Sequence, residues 1–445
     1  MQNYLMTIAC LLAFLASIST TNAEQLQRDK IFKNNQQYNV ILILADDIGA
    51  EVINAYGGTS YKTPNINQLS EQGIRFTDAH AQPLCTPSRV KIMTGKHNYR
   101  NYQRFSYLPP KETTFAHMLK KSGYATSISG KWQLVRSTRD NEAIKGMHPR
   151  DAGFDEYFVW QLTPDLKGTR YWGPTITDNG KNITFKKENY GPTLINNRVL
   201  DFIERKKEQP FFAYYTMVLP HRPFVTTPDN KTAESRQEKF TAMVSYMDKM
   251  VGNIKEKVID LGIADKTLIL FIGDNGTDRL ITSMVNGKEI KGSKGLTLSA
   301  GTHVPFIAWG GPTAILNASI KTNSNLIDFN DIMPTIAALT GATLPKAYEG
   351  DGQSIDRLIK GEQLPSKPHI FIHYDSKWST KSRPAEKKRY AFTKRYKLYE
   401  SGLFFNIIDD PLEVKALNLT HLTGNNKIVY QQLLDVIETT PQGSY

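Results

Sequence analysis

Five apolar residues in a row, Val40-Ile41-Leu42-Ile43-Leu44, follow a polar lead containing Asn34, Asn35 and Gln36 and stop at Asp46-Asp47. A run without polar alternation predicts a parallel strand covered by helices on both faces. Pro110 to Ser122 reads as a helix, with Phe115, Met118 and Leu119 on one face and Gly123 as its stop. The strand Tyr124 to Ser129 follows and ends at Gly130-Lys131-Trp132. Pro210 opens another run, Phe211 to Leu219, which finishes in Pro220-His221-Arg222. Glu238 to Ile259 is a helix candidate, and Thr267 to Ile272 is a strand that ends in Gly273-Asp274-Asn275. Each of these four strands releases residues able to hold a metal or an anion at its carboxyl end, where open α/β sheets place their ligand sites. Any one of them could be a solvated turn. Together they predict one crevice.

The composition shifts near Thr340 to Lys367, a stretch rich in Gly and Pro, and short strands follow at His369 to His373, Arg389 to Phe392 and Tyr396 to Tyr399, with a helix near Lys427 to Ile437. The expected fold is α/β: a large mixed, mostly parallel sheet sandwiched by helices in residues 36–345, with a smaller C-terminal α+β subdomain in 346–445. A length of 445 residues suits two or three domains, or one large α/β unit with an appendage. With 40% apolar residues, 22% charged, 30 Gly and 22 Pro, disorder, collagen and coiled coil are excluded.

Met1 to Ala23 has no charged residue and holds an apolar run from Leu5 to Ile18, closing on Thr21-Asn22-Ala23. About 14 apolar residues are short of the roughly 20 that span a bilayer, so residues 1–23 are expected to be a secretory signal. No later stretch is long enough to cross a membrane. A soluble, secreted or periplasmic protein is therefore expected. Cys10 would leave with the signal, so Cys85 stands alone, either buried and inert or reactive. The net charge of +12 favours a polyanionic partner. No nucleic-acid recognition motif appears, and a sulfated or carboxylated glycan is the expected partner.

Cys85-Thr86-Pro87-Ser88-Arg89 precedes Thr94-Gly95, which places the lone cysteine ahead of a proline turn and a predicted helix. Positions four apart share a helix face, so Arg89 can sit beside Cys85. The segment resembles the signature of the type I sulfatases, members of the alkaline phosphatase superfamily. In these enzymes that cysteine is converted to Cα-formylglycine by a maturation enzyme. Further segments resemble the family in order: Asp46-Asp47, Gly130-Lys131-Trp132, Pro220-His221, Gly273-Asp274-Asn275-Gly276, and Lys294 ahead of Gly301-Thr302-His303-Val304-Pro305. Asp351-Gly352-Gln353-Ser354 and Asp410-Pro411-Leu412-Glu413 resemble its later landmarks, so the similarity runs from about Asn39 to Leu419.

The resemblance implies covalent catalysis in two easier steps: one hydroxyl of the hydrated aldehyde attacks sulfur, and the other lets the adduct collapse. It implies that Asp46, Asp47, Asp274 and Asn275 hold a divalent cation, for which an all-oxygen set suits Ca²⁺ ahead of Mg²⁺. Lys131 and Lys294 would neutralise the sulfate, Arg89 would support the nucleophile, and His221 would bind sulfate or protonate the leaving oxygen. One departure stands out. Gln133 occupies the place of the family's usual histidine, and an amide takes no proton near neutral pH. His303 stands where the family often has arginine, and Ser299 where it often has an acid; Gln133 and His303 are expected, with Arg222, Trp132 and Trp172, to bind substrate.

Trp132, Trp160, Tyr171, Trp172 and His97-Asn98-Tyr99-Arg100 lie in segments expected to rim the crevice, where aromatic faces beside cations such as Arg222 suit acidic sugars. From His373 to Lys397 nine Lys or Arg stand against Asp375 and Glu386, which suggests a subsite for a polyanionic glycan. Asn-x-Ser/Thr sequons occur at Asn182, Asn230, Asn275, Asn317 and Asn418. The expected activity is sulfate-ester hydrolysis on a sulfated carbohydrate. The alternatives are a phosphodiester or phosphonate hydrolase of the same superfamily, and a glycan binder that Gln133 leaves without turnover.

Overall fold

A computed structural model describes residues 37–136, 145–166, 168–311, 320–345, 348–376 and 387–443. The expected signal segment lies outside the described residues. In chain order the strands are β1 (Asn39–Ala45), β2 (Ile74–His80), β3 (Ala125–Lys131), β4 (Glu156–Trp160), β5 (Thr175–Asp178), β6 (Lys181–Thr184), β7 (Phe211–Thr216) and β8 (Thr267–Gly273). A separate hairpin, β9 (Thr282–Val285) and β10 (Lys288–Lys291), comes next, followed by β11 (His303–Gly310) and β12 (Thr322–Asp328). Ten of these form one mixed sheet in the order β12-β2-β11-β8-β1-β7-β3-β4-β5-β6. Its centre, β8-β1-β7-β3, is parallel throughout.

The apolar run of β1 has the expected cause. Val40, Leu42 and Leu44 enter one hydrophobic core, while Ile41 and Ile43 enter the other, and all five are fully buried. Each such side chain contributes roughly 2 kcal/mol of burial. The helices Cys85–Thr94 and Phe115–Lys121 supply Val90, Met93 and Phe115 to the first core; Gly191–Lys206 and Arg236–Asp260 supply Val199 and Met247 to the second.

The helix expected from Pro110 begins instead at Phe115. Thr114 forms a capping box there, its hydroxyl accepting from the backbone of His117 while His117 Nδ1 accepts from Thr114 N at 3.1 Å. Beyond the main sheet, β13 (Ile370–Tyr374), β14 (Lys388–Phe392), β15 (Tyr396–Tyr399) and β16 (Phe404–Asn406) make an antiparallel sheet, against which the helix Gly424–Thr439 packs Leu433 and Ile437. No helix among the described residues is long and apolar enough to cross a membrane.

Candidate active site

Because β8, β1, β7 and β3 are adjacent and parallel, the residues that follow them emerge at one edge of the sheet. Asp46 and Asp47 leave β1, Asp274 and Asn275 leave β8, Lys131 ends β3, and His221 follows β7. Asp46 takes Lys131 Nζ at 2.7 and 2.9 Å. Asp274 accepts Arg89 Nε at 3.2 Å and its terminal nitrogen at 3.0 Å, and it also accepts the Asp47 backbone N–H at 3.0 Å. Asp47 accepts Lys294 Nζ at 2.6 Å and Asn275 Nδ2 at 2.9 Å, and His221 Nε2 lies 3.7 Å away. Two local features make this geometry attainable. Asp47 adopts a left-handed φ of 68°, which turns the chain at the strand end, and Asp tolerates that region better than most residues. At Gly130 an added Cβ would lie 1.7 Å from Thr216 O, so only glycine lets β3 bring Lys131 in beside β7.

Cys85 opens its helix directly, earlier than a position ahead of it. Ser88 secures the preceding loop, accepting from Gln82 N at 3.0 Å and donating to Gln82 O at 3.2 Å. Gly295 N donates to Pro83 O at 2.7 Å, which ties the Lys294 loop to the cysteine loop. Cys85 Sγ and carboxylate oxygens of Asp46 and Asp274 lie within 4.8 Å of one another. Arg89, one turn along the same helix, donates to Lys131 O at 3.0 Å as well as to Asp274, the carboxylate that also lies beside Cys85.

Burial dominates the electrostatics. It raises the Asp46 carboxyl, but Lys131, His221, Arg89 and Arg170 overcome it and hold the group well below the usual carboxylate range. Burial and the neighbouring Asp46 push Asp274 up to about 7 against the pull of Arg89. Burial also lowers His221 to about 3 despite the attraction of Asp47, so its imidazole is neutral, with Nδ1 against Arg222 O at 2.5 Å. The residues present fit a hard divalent cation. Asp46, Asp47 and Asp274 are buried carboxylates that converge here, and Asn275 Oδ1 is a buried oxygen with no hydrogen-bond partner among the described residues, an orphan that a ligand accounts for.

A cavity of about 910 Å³ opens above Cys85. Lys131, Gln133, His221, Arg222 and Lys294 line it. Gln133 has a left-handed φ of 48°, and its amide donates to Gln161 Oε1 at 2.8 Å. The sequence reading missed Arg170, Arg279 and Lys291 in the same wall. Arg170 lies 3.5 Å from Asp46 and 4.1 Å over the Trp160 ring, and nothing in its Thr-Arg-Tyr-Trp setting distinguishes it from any other loop arginine.

Three expected substrate-binding residues are corrected. Trp132 is 1% exposed, with Nε1 donating to Met147 O at 3.0 Å, because the chain turns it into the first core. Trp172 donates to Thr226 O at 3.0 Å and leans on Tyr190, fixing a loop instead of facing the cavity. His303 pairs with His80 across β11 and β2 and sits 2.7 Å from Thr77 O, outside the cavity wall. Trp160 and Tyr171 are also buried, and Tyr171 holds the His221 loop through Val218 O at 2.9 Å. The 97–100 segment is tied to Asp351, with Arg100 pairing to it at 3.0 Å. In the basic stretch, residues 377–386 lie outside the described residues. Arg389 and Lys397 are buried in ion pairs with Glu400 and Glu413. Asn275 is fully buried and unavailable to a glycan, whereas Asn182, Asn230 and Asn418 are exposed; Asn317 lies outside the described residues.

The family profile described as Sulfatase matches residues 38–342. The chain is 26% identical over 408 residues to N-acetylgalactosamine-6-sulfatase of Homo sapiens, covering 83% of this chain and 75% of that protein. It is 27% identical over 426 residues to N-acetylgalactosamine-6-O-sulfatase of Bacteroides thetaiotaomicron, covering 78% and 81%. A solved structure of a protein in complex with its substrate D-glucosamine-2-N,6-O-disulfate shares the fold, with a TM-score of 0.73 at 19% identity over 92% of this chain and 100% of that one.

Proposed function

Since the chain belongs to the sulfatase family and is a sulfuric ester hydrolase, we propose that it removes sulfate from a sulfated carbohydrate, with Cys85 converted to formylglycine as the nucleophile. The observation that carries this reading is the placement of Cys85 Sγ against Asp46 and Asp274 at the floor of a cationic cavity. Relatives named for N-acetylgalactosamine sulfates support the carbohydrate class.

Each residue then has a task. Asp46, Asp47, Asp274 and Asn275 would hold a Ca²⁺ ion, which supplies Lewis-acid polarisation of a sulfate oxygen. Lys131 and Lys294 stand at the nucleophile with their ammonium groups already directed by Asp46 and Asp47, so they meet sulfate charge without first being ordered. Arg89 locks Asp274 and the Lys131 carbonyl, which keeps the helix start rigid. Neutral His221 has its proton on Nδ1, held by the Arg222 carbonyl, and presents Nε2 to the cavity side of Asp47. Gln133 offers an amide hydrogen bond to the substrate, and takes no proton. The mature enzyme acts outside the cytoplasm, secreted or periplasmic, after maturation of Cys85.

The test is release of inorganic sulfate from defined sulfated oligosaccharides, alongside an aryl phosphodiester, by protein produced with a formylglycine-generating enzyme. Sulfate release should vanish in Cys85→Ala and on chelation, and return with Ca²⁺. Phosphodiester turnover faster by orders of magnitude would overturn the reading.

A further inference from the structure

The cavity above Cys85 continues past its own walls on two sides. On one side it shares Arg222 and Leu280 with a hollow of about 320 Å³, which adds Phe224, Arg236 and Lys239. On the other it shares Leu296, Tyr374 and Leu412 with a hollow of about 610 Å³, which adds Lys387, Lys388 and Phe405. The three hollows therefore form a row, with the nucleophile in the middle and cations in both wings.

The acids of the wings are already engaged. Glu413 accepts Lys397 Nζ and the Tyr399 hydroxyl, both at 2.5 Å, and Glu400 is paired with Arg389. Glu238, beside Arg236 and Lys239, turns back to accept the Ser235 and Glu234 backbone N–H groups at 2.9 and 3.0 Å. What each wing presents to a ligand is thus positive charge beside an aromatic ring. A neutral or single-charged substrate would gain nothing from two such wings, whereas a repeating polyanion matches them. A site that reads a chain end is walled on one side, whereas the described residues continue this one through both shared walls.

We propose that the row binds an unbroken sulfated polysaccharide, with charged units in both wings, and that sulfate is removed from internal positions. The inference rests on the sulfatase reading and leaves the reaction unchanged: water enters, the sugar hydroxyl and sulfate leave. Exposed charge pairs change affinity a few-fold each, so removing two cations from one wing should lower kcat/KM about tenfold on a long substrate.

The experiment uses a sulfated oligosaccharide blocked at both ends, the disaccharide unit of the same chain, and the formylglycine-bearing enzyme. Wild type should release internal sulfate from the blocked chain. Arg236→Ala/Lys239→Ala and Lys387→Ala/Lys388→Ala should each lose about tenfold on it and little on the disaccharide, which also shows that the variants fold. The difference should shrink at high salt, since screening shortens to about 3 Å at 1 M. Sulfate release from the disaccharide but not from the blocked chain, or unchanged variants, overturns the internal-attack proposal alone. Absence of release from both substrates overturns the sulfatase reading and this inference with it.

Discussion

Glu51 provides a quantitative test of how the turn after Asp46 and Asp47 is built. The residue is 8% exposed, and its carboxylate accepts the Thr277 hydroxyl at 2.5 Å and through that hydroxyl is linked to Gly49 N at 3.1 Å. No cation faces it. Burial therefore raises its carboxyl from 4.5 to about 7, against weaker lowering by Thr277 and its own backbone N–H. At about 1.4 kcal/mol per pH unit, the ionised form costs the fold about 3 kcal/mol.

The sign follows from proton counting. Between pH 4.5 and 7 the folded state binds the proton that the unfolded chain has lost, so this group's contribution to stability falls as pH rises and is flat above about 7. Glu51→Gln keeps the shape and removes the titration. Denaturant unfolding in EDTA, at several pH values from 4.5 to 8, should give a variant equal to wild type at the acidic end and about 3 kcal/mol more stable at pH 8. Other titrating groups cancel in the difference. A pH-independent difference, or a variant less stable at pH 8, would show that Glu51 is ionised and compensated in the fold.

Lys131→Met should cost about 3 to 5 kcal/mol in EDTA, because it leaves Asp46 buried without its nearest partner. Saturating Ca²⁺ should recover much of that loss in the same unfolding measurement, and an equal loss with and without the ion would place the ion elsewhere. Trp132→Leu should lower stability by about 2 kcal/mol or more through lost packing and the Met147 hydrogen bond while leaving KM within about twofold; a large change in KM with unaltered stability would return Trp132 to the substrate wall.

The chain alone was informative wherever one residue type had one physical use. Continuous apolar runs such as Val40 to Leu44 demanded a strand covered on both faces, and the polar residues after four such strands pointed to a single edge. Cys85-Thr86-Pro87-Ser88-Arg89 carried its own chemistry, and with Asp46, Asp47, Asp274 and Asn275 it named the centre of the site. The aromatic residues could not be read in that way. Trp132 and Trp172 have an apolar body and one N–H donor, a pattern equally suited to a sugar platform and to a core, and only the direction of the chain after β3 and before the helix Gly191–Lys206 decided between them. The cations divided for the same reason. Arg389 and Lys397 sit in a basic stretch yet are buried in ion pairs, while Arg170, which no motif marks, closes on Asp46. Charge is a property of the residue, whereas its availability depends on which partner the folded chain brings within a few ångströms, and that was settled by tertiary structure.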